Sequence, residues 1–471
     1  LYNNDSKEKL RGGNMKKRRL MLCGLVSLIM AFVMAVPMAA SAATEVKDAQ
    51  ALKDAVAKGE TEITLGDDIA ASITIPKDAN VTLDLNGHKL TNEDGNHTIT
   101  NEGTLTIKGA GTVDNVSHGK GALVNKGTAT VNGGTFTRSQ EKGTAAGANG
   151  NSWYVIDNQG TLTVTAGTVT NTSGFSSLVR NMNGTLNVNG GTFENTFNTL
   201  KNDDNGIMNI TAGTIKSDDQ AVQNWSKLEV TGGNFTGDVD TWSYDAYQGT
   251  AAIGGSAVID GNVSAIKYGD ATVKSTVEIN GGTINGTIEK GEYDVNAGYN
   301  SVDPSADTSV ITVYGGTFAK ESAEDFIAAD RVMIKYTKGK DSKYYVGTQE
   351  GIQEIANTAK DGDTIDVIKG SITLNMTTPG VNVNNDRSNE KGEVIVNGTP
   401  LNPGYGMEIQ KPATDPTKPS QDQTQKPGGT KTDSSANTGD DFNMIAAGAA
   451  ALAAIIVMAA VAVTGRRHRQ R

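Results

Sequence analysis

Short runs in which apolar and polar residues alternate recur through the middle of the chain. Typical copies are Gly127–Phe136, Gly160–Val169 and Gly184–Phe193, each with a glycine pair or Ala-Gly before its last two residues. The alternation predicts a half-buried strand, and the glycines predict a turn because glycine reaches positive φ at low cost. This glycine recurs at 111, 134, 167, 191, 213, 233, 282 and 316. A period near 20–24 residues predicts a solenoid, and strands without intervening helices indicate a parallel β-helix rather than a β-sandwich or propeller.

The same alternation predicts which side chains point inward. Before the glycine turn these are Leu105, Ile107, Leu162, Val164, Leu186, Val188, Met208, Ile210, Leu228, Val230, Val277 and Ile279. After it they are Val113, Phe136, Val169, Phe193, Ile215, Phe235, Ile284 and Phe318. A separate series precedes each motif, namely Asn101, Asn125, Asn158, Asn181, Asn202 and Asn224. Stacked asparagines form hydrogen-bonded ladders in stacked sheets, so we expect one here.

Both ends of the repeat region carry a helical pattern. Ala49–Lys58 places Leu52 and Val56 on one face and is followed by Gly59, a typical helix stop. A second helix is predicted at Gly351–Lys360. Exposed strand edges need covering, so we expect these helices to cap the coil. The predicted domains are a β-helix with its N-terminal cap at 43–345 and a small α/β cap at 346–402.

The beginning of the chain has the pattern of a secretory signal peptide. Residues 1–14 are interpreted as upstream sequence translated before the true start at Met15. A basic run at 16–19, an apolar run at 20–36 and small residues ending at Ala42 then follow. The sequence therefore predicts a signal peptide at 15–42, cleaved after Ala42, and an extracellular protein. The alternative is a retained anchor helix.

The other end is predicted to hold the protein at the cell surface. Residues 403–437 are rich in Pro, Thr and Ser and predict an extended spacer. An apolar stretch at 444–465 is long enough to span a bilayer, and a basic tail follows it. Residues 435–471 resemble the sortase signal of Gram-positive surface proteins. In its Leu-Pro-x-Thr-Gly pentapeptide, Thr438 and Gly439 match, whereas Ser435 and Ala436 replace the first two residues. The resemblance implies cleavage after Thr438 by sortase and attachment to peptidoglycan; the alternative is a membrane anchor.

Composition and charge exclude several functions. The 56 glycines without a collagen period indicate a turn-rich β protein, and the net charge of -11 argues against nucleic acid as a partner. The lone Cys23 lies inside the signal peptide, so the mature chain is expected to have no disulfide and no thiolate nucleophile. No calcium-loop motif is present, and no metal or other cofactor is expected.

A cap helix followed by repeats, together with the sequence segment Val81–His88, resembles the pattern of pectate-lyase-like right-handed β-helix proteins of bacterial surfaces. Relatives of this fold that cleave polysaccharides use carboxylates on one face with His, Arg or Lys nearby. The nearest matches are His118 and the pair Asp218–Asp219, but their order differs from the polygalacturonase pattern. They are also predicted to lie four turns, or roughly 19 Å, apart. We therefore expect no catalytic residues; a polysaccharide lyase or glycoside hydrolase is the alternative function.

Aromatic residues are concentrated in two departures from the repeat. Insertion 141–151 leads to Trp153 and Tyr154, and segment 237–250 contains Trp242, Tyr244 and Tyr247. Aromatic faces beside carboxylates can bind sugars or a protein surface, so these five residues are the predicted ligand-binding set. The alternative is that the rings pack beneath their own loops. The sequence thus favours a non-catalytic adhesin or glycan-contact scaffold, whose partner is a host or dietary glycan or a surface protein.

Overall fold

The structure is a computed structural model that describes residues 42–92, 94–139, 153–171 and 176–411, together with the short strand at 426–427. A compact unit begins at Ala43. In the described part of the chain, no helix has both the length and the apolar character needed to cross a membrane. Apart from Ala42 itself, the predicted signal peptide, the apolar segment at 444–465 and the Thr438–Gly439 bond lie outside the described residues.

Most of the unit is β structure. The first strands in chain order are β1 Thr44–Val46, β2 Glu62–Leu65, β3 Ile69–Ala70, β4 Ile73–Ile75, β5 Asn80–Asp84, β6 Lys89–Thr91, β7 Ile99–Asn101, β8 Thr104–Lys108, β9 Thr112–Asp114, β10 Leu123–Asn125, β11 Thr128–Arg138, β12 Ile156–Asn158, β13 Thr161–Asn171, β14 Val179–Asn181 and β15 Thr185–Asn195. They continue as β16 Leu200–Asn202, β17 Ile207–Asn224, β18 Lys227–Val230, β19 Asn234–Tyr244, β20 Tyr247–Gln248, β21 Thr250–Ile253, β22 Val258–Asp260, β23 Val263–Tyr268, β24 Thr276–Ile279, β25 Thr283–Ile284, β26 Ile288–Asp294, β27 Gly298–Val302, β28 Val310–Val313 and β29 Gly316–Phe318.

These strands wind into a solenoid of about 13 turns. Three parallel sheets run along it. Sheet A contains β1, β2, β5, β8, β18, β21, β24, β28 and the first parts of β11, β13, β15 and β17. Sheet B contains β3, β6, β9, β22, β25, β29 and the next segments of the long strands. Sheet C contains β4, β7, β10, β12, β14, β16, β23, β26 and the ends of β17 and β19.

The predicted inward register is confirmed. Every residue predicted to point inward from sheets A and B is at most 2% exposed. In register, Leu162 lies on Leu186 and then Met208, while Val169 lies on Phe193 and then Ile215. Strands alternate their faces with a period of two, so a one-residue slip would expose this entire set.

The N-terminal cap also agrees with its prediction. Helix α1 spans Ala49–Lys58 and buries Leu52 and Val56 against the first turn. The Asp48 carboxylate accepts a hydrogen bond from the backbone N–H of Ala51 at 2.8 Å and so caps the helix start. Gly59 ends the helix with φ of 75°, a conformation that glycine adopts without strain.

The C-terminal end forms a second hydrophobic core. Its elements are β30 Val332–Lys338, β31 Asp341–Gly347, α2 Gln349–Ala356, β32 Thr364–Lys369, β33 Ile372–Leu374, β34 Asn382–Asn385, β35 Val394–Val396, β36 Thr399–Leu401 and β37 Tyr405–Glu408, with β38 Lys426–Pro427 beside β37. A 3-10 helix, Glu321–Phe326, precedes them.

The cap differs from its prediction in three places. Helix α2 begins earlier than predicted because Thr348 caps its first turn, and it ends at Ala356. The expected boundary at 345/346 falls inside β31, which pairs with both β29 and β30 and thus joins the solenoid to the cap. The start of the predicted spacer is wrong, because residues 405–408 form β37 and pair with β34.

Candidate functional site

The predicted asparagine ladder is present on the inner side of sheet C. Each side-chain Nδ2 donates to the Oδ1 of the next asparagine along Asn101, Asn125, Asn158, Asn181, Asn202 and Asn224, at 2.7–2.9 Å. All six side chains are fully buried. Each Nδ2 also donates to a backbone oxygen of its own turn or the next one. Buried amides satisfied in this way hold successive turns in one register.

The ladder residues also shape the corner of the coil. Asn101 Oδ1 accepts from the backbone N–H of Gly103 at 3.2 Å, and Asn224 Oδ1 accepts from that of Ser226 at 3.2 Å. This local side-chain bond to the residue two positions on is the Asx turn, which competes with continued strand. The strands β7, β10, β12, β14, β16 and β17 therefore all end at their asparagine.

After Asn224 the same column continues as Thr241, Ala265 and Lys290. None of these side chains is an Asx residue that can close the corner turn. Strands β19, β23 and β26 accordingly run on to Tyr244, Tyr268 and Asp294. The added residues, at 242–248, 266–268 and 291–300, form what we call the sheet C extension.

A row of five tyrosines crosses this extension. Tyr244 is in register with Tyr268, and Tyr268 with Tyr293. Tyr247 lies directly opposite Tyr244 in an antiparallel pair, and Tyr299 lies opposite Tyr293 in another. Residues paired across neighbouring strands share one face of a sheet. The tyrosine row therefore occupies one face over five adjacent strands, about 19 Å along the solenoid axis.

Within the row, neighbouring rings contact one another. Tyr268 and Tyr293 stack with centroids 5.2 Å apart, while Tyr244 meets Tyr268 edge-on at 5.4 Å. These contacts leave Tyr244 and Tyr247 as the open end of the row, with 43% and 46% of their surface exposed. A β-carbon on Gly291 would lie 2.4 Å from the Tyr299 ring, so glycine there lets this ring lie over the strand.

Trp242 occupies a different position from the one predicted. Segment 237–250 is not an insertion loop, because it consists of the end of β19, a tight turn and β20. Trp242 is only 4% exposed and stacks on Trp225 with centroids 5.0 Å apart. Neither indole N–H finds an acceptor among the described residues. The interpretation of rings packed beneath their segment thus holds for Trp242, which contacts the rings of Tyr268 and Tyr293.

Three carboxylates lie at the ends of the strands that carry the tyrosine row. Asp245, Asp270 and Asp294 are exposed at the ends of the three extended strands. The charge of Asp245 raises the pKa of the neighbouring Tyr244 hydroxyl. Lys267 and Lys290 alternate with the tyrosines along their strands and so belong to the opposite face.

The other predicted aromatic pair forms a second group on sheet C. The Arg180 guanidinium lies 4.5 Å from the Tyr154 ring centre and 5.6 Å from that of Trp153. The same guanidinium makes two 2.8 Å hydrogen bonds to the buried Asp157 carboxylate. His97 contacts the Trp153 ring, and its Nδ1 accepts from the Gly121 N–H at 2.9 Å. Burial, followed by the charge of Lys120, lowers the pKa of His97. Insertion 141–151 lies outside the described residues.

The residues weighed for catalysis do not converge. His118 lies in an exposed turn. The register from Asp114 to Lys216 counts four strand steps between its turn and that of Asp218, or about 19 Å. In the described ranges, no three His, Cys, Asp or Glu side chains are grouped so that they could hold a metal ion.

Sequence reasoning found Tyr244 and Tyr247 but missed Tyr268, Tyr293 and Tyr299. The missed signal is the repeat itself: Tyr268 and Tyr293 follow Tyr244 at intervals of 24 and 25 residues, one turn each.

Searches against family models, curated proteins and solved structures find no match to this chain.

Proposed function

We propose that this protein is a non-catalytic β-solenoid of the cell surface that binds carbohydrate through the tyrosine row. The observation that carries the proposal is the alignment of five tyrosines on one face, with Tyr244 and Tyr247 exposed beside a stacked tryptophan pair. Aromatic rings that are held rigidly bind at a low cost in conformational entropy.

The chemistry of the row suits sugar rings. Sugars combine apolar C–H faces with hydroxyl groups, and an exposed tyrosine offers both a ring and a phenolic hydroxyl. The carboxylates of Asp245, Asp270 and Asp294 add hydrogen-bond acceptors at the ends of the same strands. A protein surface is the competing ligand, because exposed tyrosines also serve as anchors between proteins.

The location of the protein is part of the proposal. It rests on the signal peptide at 15–42 with cleavage after Ala42, on the spacer, and on the sorting signal at 435–471 with its membrane segment at 444–465. In this proposal sortase cuts between Thr438 and Gly439 and joins the chain to peptidoglycan. We also propose that the coil is right-handed and of the pectate-lyase-like class, as its cap and repeat phrases suggest.

A glycan array with the purified full-length chain tests the binding function. We expect the double variant Tyr244→Ala, Tyr247→Ala to lose at least tenfold in affinity for any glycan the unmodified protein binds. The matched control is Tyr405→Ala, since Tyr405 is 39% exposed but lies on β37 of the cap. Equal loss in the control, or none in the double variant, would contradict the proposal.

Turnover measurements separate binding from catalysis. We expect no release of new sugar ends or unsaturated products from polygalacturonate or mucin glycans over a long incubation. The distance between the turns of His118 and Asp218 supports this expectation, because two groups that act on one glycosidic bond lie much closer together. Release that stops in the variant His118→Ala would establish the lyase or hydrolase alternative instead.

A further inference from the structure

We infer that the two aromatic groups of sheet C are the ends of a single extended site, and that its ligand is a neutral polysaccharide chain lying diagonally across sheet C. The inference rests on the proposed function and adds the class of ligand, its direction and its length. The ends are Tyr154 with Arg180 on one side and Tyr244 with its row on the other.

The strand register places both ends on one face. Arg180 is followed in register by Lys201, Gln223 and Asp240 on consecutive strands. Asp240 and Tyr244 are four residues apart on β19, so the period of two assigns them to the same face of the sheet. Three strand steps separate Arg180 from Tyr244 along the axis, about 14 Å. Four residues across the strand add roughly 13 Å in the perpendicular direction.

The turns between the two ends carry groups that suit sugar hydroxyls. Lys201 Nζ lies 3.1 Å from the Asp203 carboxylate, and both side chains are partly exposed. Gln223 and Trp225 follow on the next turn and are also partly exposed. We call the surface of sheet C between Tyr154 and Tyr244 the strip. It alternates rings with hydrogen-bonding groups and offers donors and acceptors along its whole length.

Charge selects a neutral ligand over an acidic one. The two cations that the described residues place on the strip already have partners, Arg180 in its double hydrogen bond with Asp157 and Lys201 with Asp203. The far end carries exposed carboxylates. Residues 43–438 retain 31 of the 42 Lys and Arg and 49 of the 53 Asp and Glu, a formal charge of -18 (31 minus 49). A polyanion such as a uronate chain would meet repulsion and, among the described residues of the strip, no unpaired cation.

A length series tests the inference. The probes are neutral gluco-, xylo- and manno-oligosaccharides of two and eight units, with oligogalacturonate octamers as the acidic comparison. The proteins are the unmodified full-length chain, Tyr154→Ala, Tyr244→Ala and the control Tyr405→Ala, all measured by calorimetry. Because a chain that reaches both ends gains from effective concentration, the best neutral octamer should bind at least tenfold more tightly than its dimer.

The variants separate the two ends. Tyr154→Ala should remove the advantage of the octamer while leaving dimer affinity unchanged, and the unchanged dimer affinity shows that the protein is folded. Tyr244→Ala should weaken both lengths. Octamer affinity unaffected by Tyr154→Ala would overturn the single extended site, yet the proposed function would stand if Tyr244→Ala still weakened the dimer. Tighter binding of oligogalacturonate than of every neutral octamer would overturn the neutral ligand. Failure of all probes would overturn both proposals.

Discussion

Sheet C has two halves that differ at Asn224. From Asn101 to Asn224 the buried column is uniform and each strand stops at its asparagine. From Thr241 onward the asparagine is missing, the strands extend by several residues, and aromatic side chains cover the added face. The loss of asparagine from the buried column therefore coincides with longer strands and an added aromatic face on sheet C.

The comparison separates two uses of repetition. In the first half, repetition inside the coil satisfies buried amides, which only works if every turn has the same residue at that position. In the second half, the repeated residues lie on the outer face of the sheet, where tyrosines one turn apart form a surface. An exposed aromatic face arises where the asparagine corner is absent.

The largest expected effect on stability comes from replacing Trp242, one of the tryptophan pair that contacts the tyrosine row. Trp242→Ala should lower the free energy of unfolding by about 3–5 kcal/mol, because it leaves a cavity beside Trp225. Trp242→Phe keeps a ring and removes the indole N–H that lacks an acceptor among the described residues, so it should cost less than about 1.5 kcal/mol. Denaturant unfolding measures both. Equal stability of the alanine and unmodified proteins would mean that the extension does not depend on this pair.

The ladder half should be sensitive to a single asparagine. Asn158→Ala removes a hydrogen-bond donor to Asn181 and an acceptor from Asn125, both buried, and should cost roughly 3 kcal/mol. Asn132→Ala is the matched control, since Asn132 is exposed on β11, and it should change stability by less than about 0.5 kcal/mol. Similar losses in the two variants would contradict a special role for the ladder.

The exposed end of the tyrosine row should matter little for stability. Tyr244→Ala breaks its edge contacts with Trp225 and Tyr268 and should cost about 1 kcal/mol. Its melting temperature should therefore stay close to that of the unmodified protein while glycan affinity falls. A loss as large as that of Trp242→Ala would mean that the tyrosine belongs to the core of the extension.

The smallest expected effect comes from restoring the ladder residue at its first departure. Thr241 is fully buried and follows Asn224 in register, with Asn224 Nδ2 3.5 Å from its hydroxyl oxygen. In Thr241→Asn the new amide can accept that donor at a shorter distance, and stability should change by less than about 1 kcal/mol. Hydrogen exchange should show whether the strand beyond position 241 loses protection. Unchanged protection would show that asparagine alone does not end the strand.

The interior of the coil was predictable from sequence because it follows a local rule. Alternation in Leu186 and Val188, together with the glycine at 191, defines a strand, its inner face and its turn within ten residues. The stacked asparagines were predictable for the same reason, since equal spacing from each motif places them at equal positions in each turn. Helix α1 carried its own stop signal in Gly59. These features depend on residues that are close together in the chain.

The candidate site depends on contacts between different turns and strands, which local sequence patterns do not determine. The sequence by itself determined that turns exist, which side chains fill them and that tyrosines cluster after residue 240. Only the tertiary structure decided that Trp242 is buried while Tyr244 is exposed, although both lie on one face of β19, because Trp225 of the preceding turn stacks on Trp242 but meets Tyr244 only in an edge contact. It also decided that Tyr247 and Tyr299 join the row, since antiparallel return strands bring them beside Tyr244 and Tyr293. Burial and neighbourhood are set by packing between turns, and packing is a property of the assembled coil.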